Sequence, residues 1–555
     1  MPASYNNKMT MGWWIEEDTP PDPDNNVIKA AITRVTRPVF LINMNGQVAA
    51  CQNGKGIIGE KIPVTTKGYP LLAYTPPLPP ENLGDPLFKK TYNLRYAYIV
   101  GAMANGITSV EMVEEIGRAG MIGFFGTAGL PINKIEAAID RLQQSLTNLP
   151  FGFNLIYNPN DPELEAATVQ LYLKRNIKLV SVSAYMDLTL PLVYFRVKGI
   201  HRESSGNIVC PNKVISKVSR TEVARKFFSP PPEKLLTQLI NQKIITKEEA
   251  ALASSISMAE DLTAEADSGG HTDNSQAISL LPTMLVLRDE MAEKFKYQRP
   301  PCVGLAGGIA TPEATAAAFA MGAAYVLTGS VNQSCVEAGT SGMVRQMLAE
   351  AKQADVTMAP AADMFEMGVK VQVLKRGTMF PLRAAKLYDL YCKYDGFETI
   401  PEKQKTILER DFFSCSFEEE WGNTKNYFEK QDPKQITRAE KDPKHKMALV
   451  FRSYLGRSSD WAIKGVPSRK VDYQILCGPA MGAFNQWVKG SFLEKPENRK
   501  TVTVAMNLLL GASVVTRMNW LRSQQVTLPA GVGRFYPIKL QKILELLEDK
   551  HGLCR

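Results

Sequence analysis

Two short glycine-rich segments of the chain contain the residue types that bind phosphate. AGGIATPE (306–313) has two successive glycines, whose backbone can approach an anion closely, and Thr311-Pro312 then predicts the start of a helix. GAAYVLTGSVNQ (322–333) offers backbone N–H groups and a hydroxyl to the same anion. A plain tight turn is the structural alternative for the first segment. The predicted phosphate-binding residues are Gly307, Gly308, Thr328, Gly329 and Ser330.

A third segment, EADSGGHTDN (265–274), contains a histidine that could act on a reacting carbonyl. His271 follows Gly270, a predicted cofactor contact, on a glycine-rich loop where an imidazole can donate a proton or a hydrogen bond. Asp267 and Asp273 flank the histidine and are expected to orient its ring or to hold a cation. The alternative is a structural histidine satisfied by neighbouring carbonyls. The other histidines lack clustered carboxylates, so no metal centre is predicted.

The segment GAMANG (101–106) is rich in small residues and suits contact with a flat ring system. Its predicted platform consists of Ala102, Met103 and Ala104. Asn154 and Lys217 are expected to contact the polar side of such a ring, where a cation stabilises an anionic reduced flavin. Buried lysines are costly unless paired, so Lys217 indicates a function. The competing function is a Schiff-base lysine of a barrel lyase, because phosphate loops suit FMN and sugar phosphates alike.

Short apolar runs that alternate with helical patterns precede these segments. Eight runs are predicted as strands, at 96–100, 122–125, 151–156, 178–183, 213–218, 262–267, 302–306 and 324–328. Strands that alternate with helices pair in parallel, because each crossover needs a helix to return the chain. Eight is also the number of strands that closes a filled barrel. The predicted fold class is therefore α/β, a (β/α)8 TIM barrel.

The position of the glycine loops distinguishes this barrel from an open doubly wound sheet. A Rossmann sheet carries its phosphate loop after the first strand, but GAMANGITS (101–109) has no GxGxxG pattern. The loops instead follow strands seven and eight, where barrels bind phosphate. Thr108 with Glu111, and Thr246 with Glu249, form predicted capping boxes at helix starts.

The remaining sequence predicts additions on both sides of the barrel. Residues 1–90 are expected to form an arm and a small β element, with residues 1 to about 35 as a flexible arm or edge element and a hairpin turn at Asn45-Gly46. The FMN-binding barrel is assigned to residues 91–380, with a helical insertion at about 220–260. A helical substrate-binding region (381–525) and a C-terminal tail (526–555) follow.

Composition narrows the class of protein. The formal net charge is +9, but Lys and Arg are spread along the chain without an interleaved aromatic pattern, so no nucleic-acid partner is predicted. No run of 18 or more apolar residues and no signal-peptide core occurs, which predicts a cytoplasmic protein without membrane insertion. Eight scattered cysteines without a CxxC pair argue against a disulfide framework. A homodimer is left open.

The motifs together resemble the PfaD family of trans-acting enoyl reductases, which serve polyunsaturated fatty acid and polyketide synthases and are relatives of the nitronate monooxygenase barrels. The resemblance covers roughly residues 85–525 and is carried by long motifs. They include GAMANGITS, FGFNLIYNPNDP, NKVISKVSRTEVA, TAEADSGGHTDN, GLAGGIATPEA, GAAYVLTGSVNQSCVEAG, DVTMAPAADMFEMGVKVQVLKRGTMFP and DYQILCGPAMGAFN.

This resemblance implies noncovalent FMN, reduction of the flavin by NADPH, and hydride transfer to the β-carbon of an enoyl thioester on an acyl carrier protein. It implies that the flavin ring lies against residues 102–104 with Asn154 and Lys217 in contact. It also implies that His271 polarises the thioester carbonyl or protonates the α-carbon. Hydride addition develops enolate charge, which a nearby donor would stabilise.

Three other functions stay open at this point. A nitronate monooxygenase would use the same barrel with oxygen, although a small nitronate does not need the long helical addition. A barrel lyase would use Lys217 as a Schiff base and purify without flavin. An inactive barrel retained for docking would leave pathway output unchanged after His271→Ala or Lys217→Ala.

Overall fold

A computed structural model of the chain describes residues 4–5, 10–17, 20–59, 68–157, 162–529 and 531–548. Parts of the predicted N-terminal arm, residues 158–161 of the FGFNLIYNPNDP motif and the end of the C-terminal tail lie outside the described residues.

The N-terminal part of the chain forms a five-stranded antiparallel sheet with strand order β4-β3-β6-β2-β5. Its elements, together with the two-residue strand β1, are β1 (Ser4–Tyr5), β2 (Gly12–Ile15), α1 (Asn25–Thr33), β3 (Val39–Met44), β4 (Gln47–Cys51), β5 (Lys55–Ile58) and β6 (Gly68–Thr75). Asn45 and Gly46 join β3 to β4 with positive φ angles of 53° and 87°, so the predicted hairpin is confirmed. The predicted flexible arm or edge element is wrong for β2, because Trp14 is buried and the strand pairs on both sides.

The central part of the chain contains the barrel and the helices around it. Its elements are α2 (Pro86–Tyr92), β7 (Tyr98–Val100), α3 (Val110–Arg118), β8 (Ile122–Phe125), α4 (Ile132–Ser145), β9 (Gly152–Ile156), α5 (Pro162–Lys174), β10 (Leu179–Ser183), α6 (Leu190–Val197), β11 (His201–Arg202), β12 (Ile208–Val209), β13 (Lys213–Val218), α7 (Thr221–Phe228), α8 (Glu233–Asn241), α9 (Lys247–Ala253), β14 (Asp261–Glu265), β15 (Gly270–His271), α10 (Ala277–Phe295), β16 (Cys302–Ala306), α11 (Pro312–Ala320), β17 (Val326–Thr328), α12 (Ser330–Gln333) and α13 (Gly342–Ala349).

Eight of these strands close a parallel barrel, and they are the eight strands predicted from the sequence. The barrel order is β7-β8-β9-β10-β13-β14-β16-β17, and β17 returns to β7 through the pair Val326 and Tyr98. The (β/α)8 fold is therefore confirmed. Because all eight strands are parallel, their carboxyl ends and the loops that follow them lie at one mouth of the barrel.

The opposite end of the barrel is closed by α2. Phe88 stacks on Tyr325 with ring centroids 4.1 Å apart, and the Tyr92 hydroxyl donates to the buried carboxylate of Asp261 at 2.7 Å. Arg299 lies 3.0 Å from the same carboxylate. This network holds the base of the barrel, at the end opposite the mouth where the glycine loops lie.

Of the helix starts predicted from capping residues, those of α9 and α11 are confirmed and that of α3 is wrong. Thr246 and Glu249 form the predicted capping box at α9, and Thr311 caps α11. The predicted Thr108 box at α3 is wrong, because Ser109 is the N-cap. The Thr108 hydroxyl instead donates to the Gly101 carbonyl at 2.7 Å, which closes the loop after β7.

A helical region with a second hydrophobic core follows the barrel. Its elements are β18 (Val356–Pro360), β19 (Lys370–Leu374), α14 (Phe380–Lys393), α15 (Glu402–Ile407), α16 (Phe417–Gln431), α17 (Pro433–Ala439) and α18 (Pro443–Lys464), with a π-helical segment at Leu408–Phe413. β15, from the barrel loop after β14, pairs with β19 in a three-stranded antiparallel sheet. The helical region is thus joined to the mouth of the barrel by a shared sheet.

The last part of the chain returns to the barrel core. Its elements are α19 (Ala480–Val488), α20 (Thr501–Ser523), β20 (Val526–Thr527) and α21 (Leu540–Glu548). Among the described residues, α20 alone is long and apolar enough to cross a membrane by length and composition, yet 89% of its most apolar window is buried inside the protein. It packs against α11 as a core helix.

Arg517 on α20 ties the N-terminal element to the barrel, and its replacement is expected to destabilise the protein. The buried guanidinium donates to the carbonyls of Ile32, Arg34 and Arg37 at 2.7–2.9 Å, at the end of α1 where a cation is favoured. We expect Arg517→Met to lower the free energy of unfolding by about 3 kcal/mol, since three carbonyls lose a charged donor. Denaturant unfolding of this variant beside exposed Arg522→Met tests the expectation, and equal stabilities would contradict it.

Candidate active site

The two glycine loops predicted to bind phosphate lie side by side at the barrel mouth, because β16 and β17 are adjacent. Gly307 and Gly308 have φ angles of +84° and +78°, and a Cβ on Gly307 would lie 2.5 Å from the Ala266 carbonyl carbon. Gly307 therefore packs against the loop after β14. A Cβ on Gly308 or Gly329 would meet no atom within 4 Å, so both face open space.

Ser330 begins the short helix α12 beside this open space. The N–H groups of Asn332 and Gln333 donate to the Gly329 carbonyl, which leaves the N–H groups of Ser330 and Val331 without an acceptor inside the helix. The Ser330 hydroxyl accepts a hydrogen bond from the Gly478 N–H at 3.1 Å and keeps its own proton for donation. Gly307, Gly308, Gly329 and Ser330 therefore surround an open space that hydrogen-bond donors face, and this group of residues is called the phosphate cradle below.

Thr328 has a different position from the other four predicted phosphate residues. It is buried, and its hydroxyl lies 2.7 Å from both the Tyr98 hydroxyl and the Asn332 amide nitrogen. Its carbonyl accepts from the Gly101 N–H at 2.9 Å. The Thr328 side chain therefore holds the end of β17 against β7.

The segment 474–479 crosses over the mouth next to the cradle. Cys477 donates its N–H to the Gln372 carbonyl at 3.2 Å, which extends the three-stranded sheet. A Cβ on Gly269 would lie 2.8 Å from the Cys477 nitrogen, and one on Gly478 would lie 2.9 Å from the Gly269 nitrogen. Gly478 and Gly269 thus allow the two backbones to touch at this crossing.

The predicted ring platform lies on the adjacent side of the mouth. Ala102, Met103 and Ala104 are half-buried at the end of β7. The Met103 N–H donates to the Thr108 hydroxyl at 2.9 Å, and a Cβ on Gly126 would lie 1.7 Å from the Met103 carbonyl oxygen. Thr108 and Gly126 therefore fix the backbone of this segment, a role that their spacing in the sequence does not predict.

Asn154 and Lys217 both lie on barrel strands but differ in their surroundings. The buried Asn154 amide nitrogen donates to the Ser181 carbonyl at 3.0 Å on the neighbouring strand. Lys217 Nζ lies 2.8 Å from Glu265 Oε1, and its side chain is 24% exposed. The Lys217 nitrogen is therefore held by a carboxylate from the neighbouring strand.

His271 lies on β15 at the same mouth, and its charged partner is Asp363. His271 Nε2 is 3.3 Å from Asp363 Oδ1, and the two side chains are 39% and 48% exposed. The expectation that Asp267 or Asp273 orients the ring is wrong. Asp267 accepts from Asn274 and Gln372, and Asp273 pairs with Arg220.

The His271–Asp363 pair shifts the pKa of both groups. Burial lowers the pKa of His271, but the hydrogen bond and the negative charge of Asp363 outweigh this effect and raise the pKa above 6.5. Lys217 lowers the pKa of His271 and Glu265 raises it, so both lie close enough to act on the ring. The pKa of Asp363 is lowered, because the contact with His271 outweighs its burial.

The structure brings the predicted residues together at one mouth of the barrel. It also places there residues that sequence reasoning missed, namely Asp363, Glu265, Gly478 and Arg220. Asp363 lies in the quoted AADMFEMG motif, but nothing in its spacing relates it to a histidine far earlier in the chain. Within the described residues, no cluster of three or more His, Cys, Asp or Glu side chains could hold a metal ion.

The fold and this site agree with the chain's similarity to known proteins. The family model for nitronate monooxygenase matches residues 88–389, which is more than half of the chain. The chain belongs to the nitronate monooxygenase family. This family assignment makes it an oxidoreductase, and its relatives confirm the PfaD-type resemblance.

Two curated relatives come from biosynthetic synthases. The chain is 47% identical over 436 residues to the polyketide biosynthesis protein PksE of Bacillus subtilis, covering 78% of this chain and 56% of that protein. It is 44% identical over 449 residues to a polyunsaturated fatty acid synthase polypeptide of Thraustochytrium, covering 80% of this chain and 30% of that polypeptide. The chain thus spans about half or less of the length of these relatives.

A solved structure matches over its whole length. The enoyl reductase domain of MlnA, from the macrolactin biosynthesis cluster of Bacillus amyloliquefaciens, is 42% identical, with a TM-score of 0.76 over 80% of this chain and 99% of that domain. The helical region beyond the barrel has its own match. A family model described as the inserted helical domain of [acyl-carrier-protein] S-malonyltransferase matches residues 394–473.

Proposed function

We propose that the protein is an FMN-dependent enoyl reductase that acts on an enoyl thioester carried by an acyl carrier protein. The observation that carries the proposal is the arrangement of the phosphate cradle, the 102–104 platform and the His271–Asp363 pair at one barrel mouth. The solved relative described as an enoyl reductase domain supports the reaction class. The carrier-bound substrate is supported by relatives from polyketide and polyunsaturated fatty acid synthases.

The residues present fit FMN. The phosphate would be held by Gly307, Gly308, Gly329 and Ser330, where the open space and the donors lie together. Lys217 supplies the cation at the opposite, ring-binding side. When bound, the flavin supplies a hydride that it has received from NADPH.

The chain's own residues provide the remaining chemistry. Hydride addition to the β-carbon moves the π electrons of the double bond towards the thioester oxygen, and a proton must end on the α-carbon. His271, held as imidazolium by Asp363, donates a hydrogen bond to that oxygen or a proton to that carbon. The overall reaction consumes one NADPH and one proton for each double bond reduced.

The pH dependence of the reaction follows from the raised pKa of His271. Because the required form is the imidazolium, activity is present below the raised pKa and falls as the pH increases through it. We expect reoxidation of the reduced flavin by an enoyl thioester to slow by about tenfold per pH unit above that pKa. Stopped-flow absorbance between pH 5.5 and pH 9 measures the rate of this reoxidation. A rate that increases with pH would contradict the assignment of His271 as the proton donor.

One anaerobic experiment tests the proposed function as a whole. The purified protein should show a flavin spectrum, lose it on addition of NADPH, and recover it on addition of a crotonyl carrier-protein thioester. Failure of every enoyl thioester to reoxidise the flavin would overturn the proposal. In a separate experiment in air, oxygen uptake with consumption of a nitronate would instead favour the monooxygenase function, which the family match also allows. A colourless protein that takes up no FMN would favour the lyase.

A further inference from the structure

The helical region reaches the active site through the loop 361–369, which joins β18 to β19. The Ala361 N–H donates to the Val369 carbonyl at 2.9 Å and closes the loop at its base. Phe365 is fully buried and packs edge-on against Phe451 of α18 with ring centroids 6.3 Å apart. The loop that carries Asp363 is therefore built on the helical region, whereas its partner His271 is carried by the barrel.

Arg452 of α18 holds this loop on both sides of Asp363. Its Nε donates to the carbonyl of Ala362, the residue before Asp363, at 3.0 Å. One terminal nitrogen pairs with Glu366, three residues after Asp363, at 3.1 Å. The Arg452 side chain is only 18% exposed, so these contacts are sheltered from solvent.

A cleft borders the loop on the side where Arg452 lies. It has a volume of about 460 Å³ and is lined by Asp363, Met364 and Met367 of the loop, by Arg438 and His445 of the helices, and by Arg452 itself. Where a cleft replaces packed side chains, dispersion contacts are lost and polar contacts supply more of the restraint. Arg452 therefore restrains the part of the loop that carries Asp363, in addition to the buried Phe365.

The charged groups around His271 come from three elements. Asp363 belongs to the loop, Lys217 to β13 and Glu265 to β14, and the latter two are paired with each other at 2.8 Å. The crossing segment contributes Leu476, which is apolar, beside the same sheet. Asp363 is thus the one of these charged groups whose position is set by the helical region.

We propose that Arg452 is a positioning residue for His271, which holds the 361–369 loop so that the Asp363 carboxylate stays within reach of the imidazole. Through this contact the helical region determines the protonation of a group on the barrel. That this contact affects proton donation to a substrate rests on the proposed function. The contact itself is a property of the folded chain and can be measured without turnover.

The direct test is a nuclear magnetic resonance titration of the histidine side chains in the full-length protein. Four histidines are present in the sequence, and His271→Gln assigns the resonance of interest. We expect Arg452→Met to lower the pKa of His271 by at least about half a pH unit, in the same direction as Asp363→Asn. The matched control is Lys446→Met, on the same helix as Arg452, which removes an ion pair with Glu418 of α16. It should leave the pKa of His271 unchanged.

The same variants are then compared in the two flavin half-reactions. Arg452→Met should move the pH profile of reoxidation by crotonyl thioester to lower pH and slow this step by at least about threefold at pH values above the pKa of His271, with reduction by NADPH unchanged. Arg452→Lys keeps the charge but makes fewer hydrogen bonds, so it should lower the pKa of His271 by an intermediate amount. This variant serves as the test if Arg452→Met does not fold. A wild-type pKa in a folded Arg452 variant, beside a lowered pKa in Asp363→Asn, overturns the inference. Lack of any enoyl reductase activity overturns the proposed function and leaves the titration result valid.

Discussion

Replacement of His271 by alanine is expected to slow the reoxidation of the reduced flavin by an enoyl thioester by about 10²–10⁴-fold, the range for loss of a general acid. Reduction of the flavin by NADPH should change little, because that step requires no proton at the substrate carbonyl. The two half-reactions therefore separate a proton donor from a residue that only shapes the cofactor site. Stopped-flow absorbance at the flavin band measures both.

His201→Ala is the matched control for this prediction. His201 is exposed on the two-residue strand β11, and its ring lies 2.9 Å from the Gly199 carbonyl on a hairpin outside the barrel mouth. Its loss should leave both half-reactions unchanged. Equal slowing of both steps in His271→Ala would show that the histidine supports the cofactor and does not donate a proton.

The second large effect concerns the phosphate cradle. Gly329→Asp is expected to weaken FMN binding by at least about 100-fold, because a carboxylate would fill the space in front of α12 and repel a phosphate. Gly329→Asn adds a side chain of the same volume without the charge. Its loss of FMN affinity should be at least tenfold smaller than that of Gly329→Asp. Titration of the apoprotein with FMN, followed by flavin fluorescence, gives both dissociation constants.

The folded state must survive this substitution for the result to be informative. A Cβ at Gly329 would meet no heavy atom within 4 Å, so the folded state has room for an added side chain there. Gly422→Asp, at an equally open glycine on α16, is the control for the added charge. Unchanged FMN affinity in Gly329→Asp would place the phosphate elsewhere and remove the main support for the cofactor site.

The helical region adds residues and a strand to the mouth of the barrel. Its sheet shares β15, the strand of His271, and its loop supplies Asp363. An oxidoreductase for a small substrate would not need this addition, whereas a long acyl chain on a carrier protein needs a bounded channel. The addition therefore favours the enoyl reductase over the monooxygenase function.

The local sequence determined the barrel strands, the Asn45-Gly46 hairpin and the start of α11. Each of these depends on neighbouring residues: apolar runs of strand length, two residues with positive φ, and a capping threonine followed by proline. The positions of the glycine loops after strands seven and eight could also be predicted, because parallel strands bring their carboxyl ends to one mouth. The side-by-side placement of the two glycine loops was thus accessible from the sequence alone.

Only the tertiary structure decided which groups act on one another within the site. Thr108 could cap a helix by its spacing, but in the folded protein its hydroxyl contacts the Gly101 carbonyl, and Ser109 caps α3 instead. Asp267 and Asp273 are close to His271 in sequence, yet the ring pairs with Asp363 from a distant loop. A charged contact depends on the positions of side-chain atoms in space, and here those positions are set by a sheet that joins the barrel to the helical region. The glycine loops therefore followed from the chain's local pattern, while the charged partner of His271 followed only from the packing of one region on another.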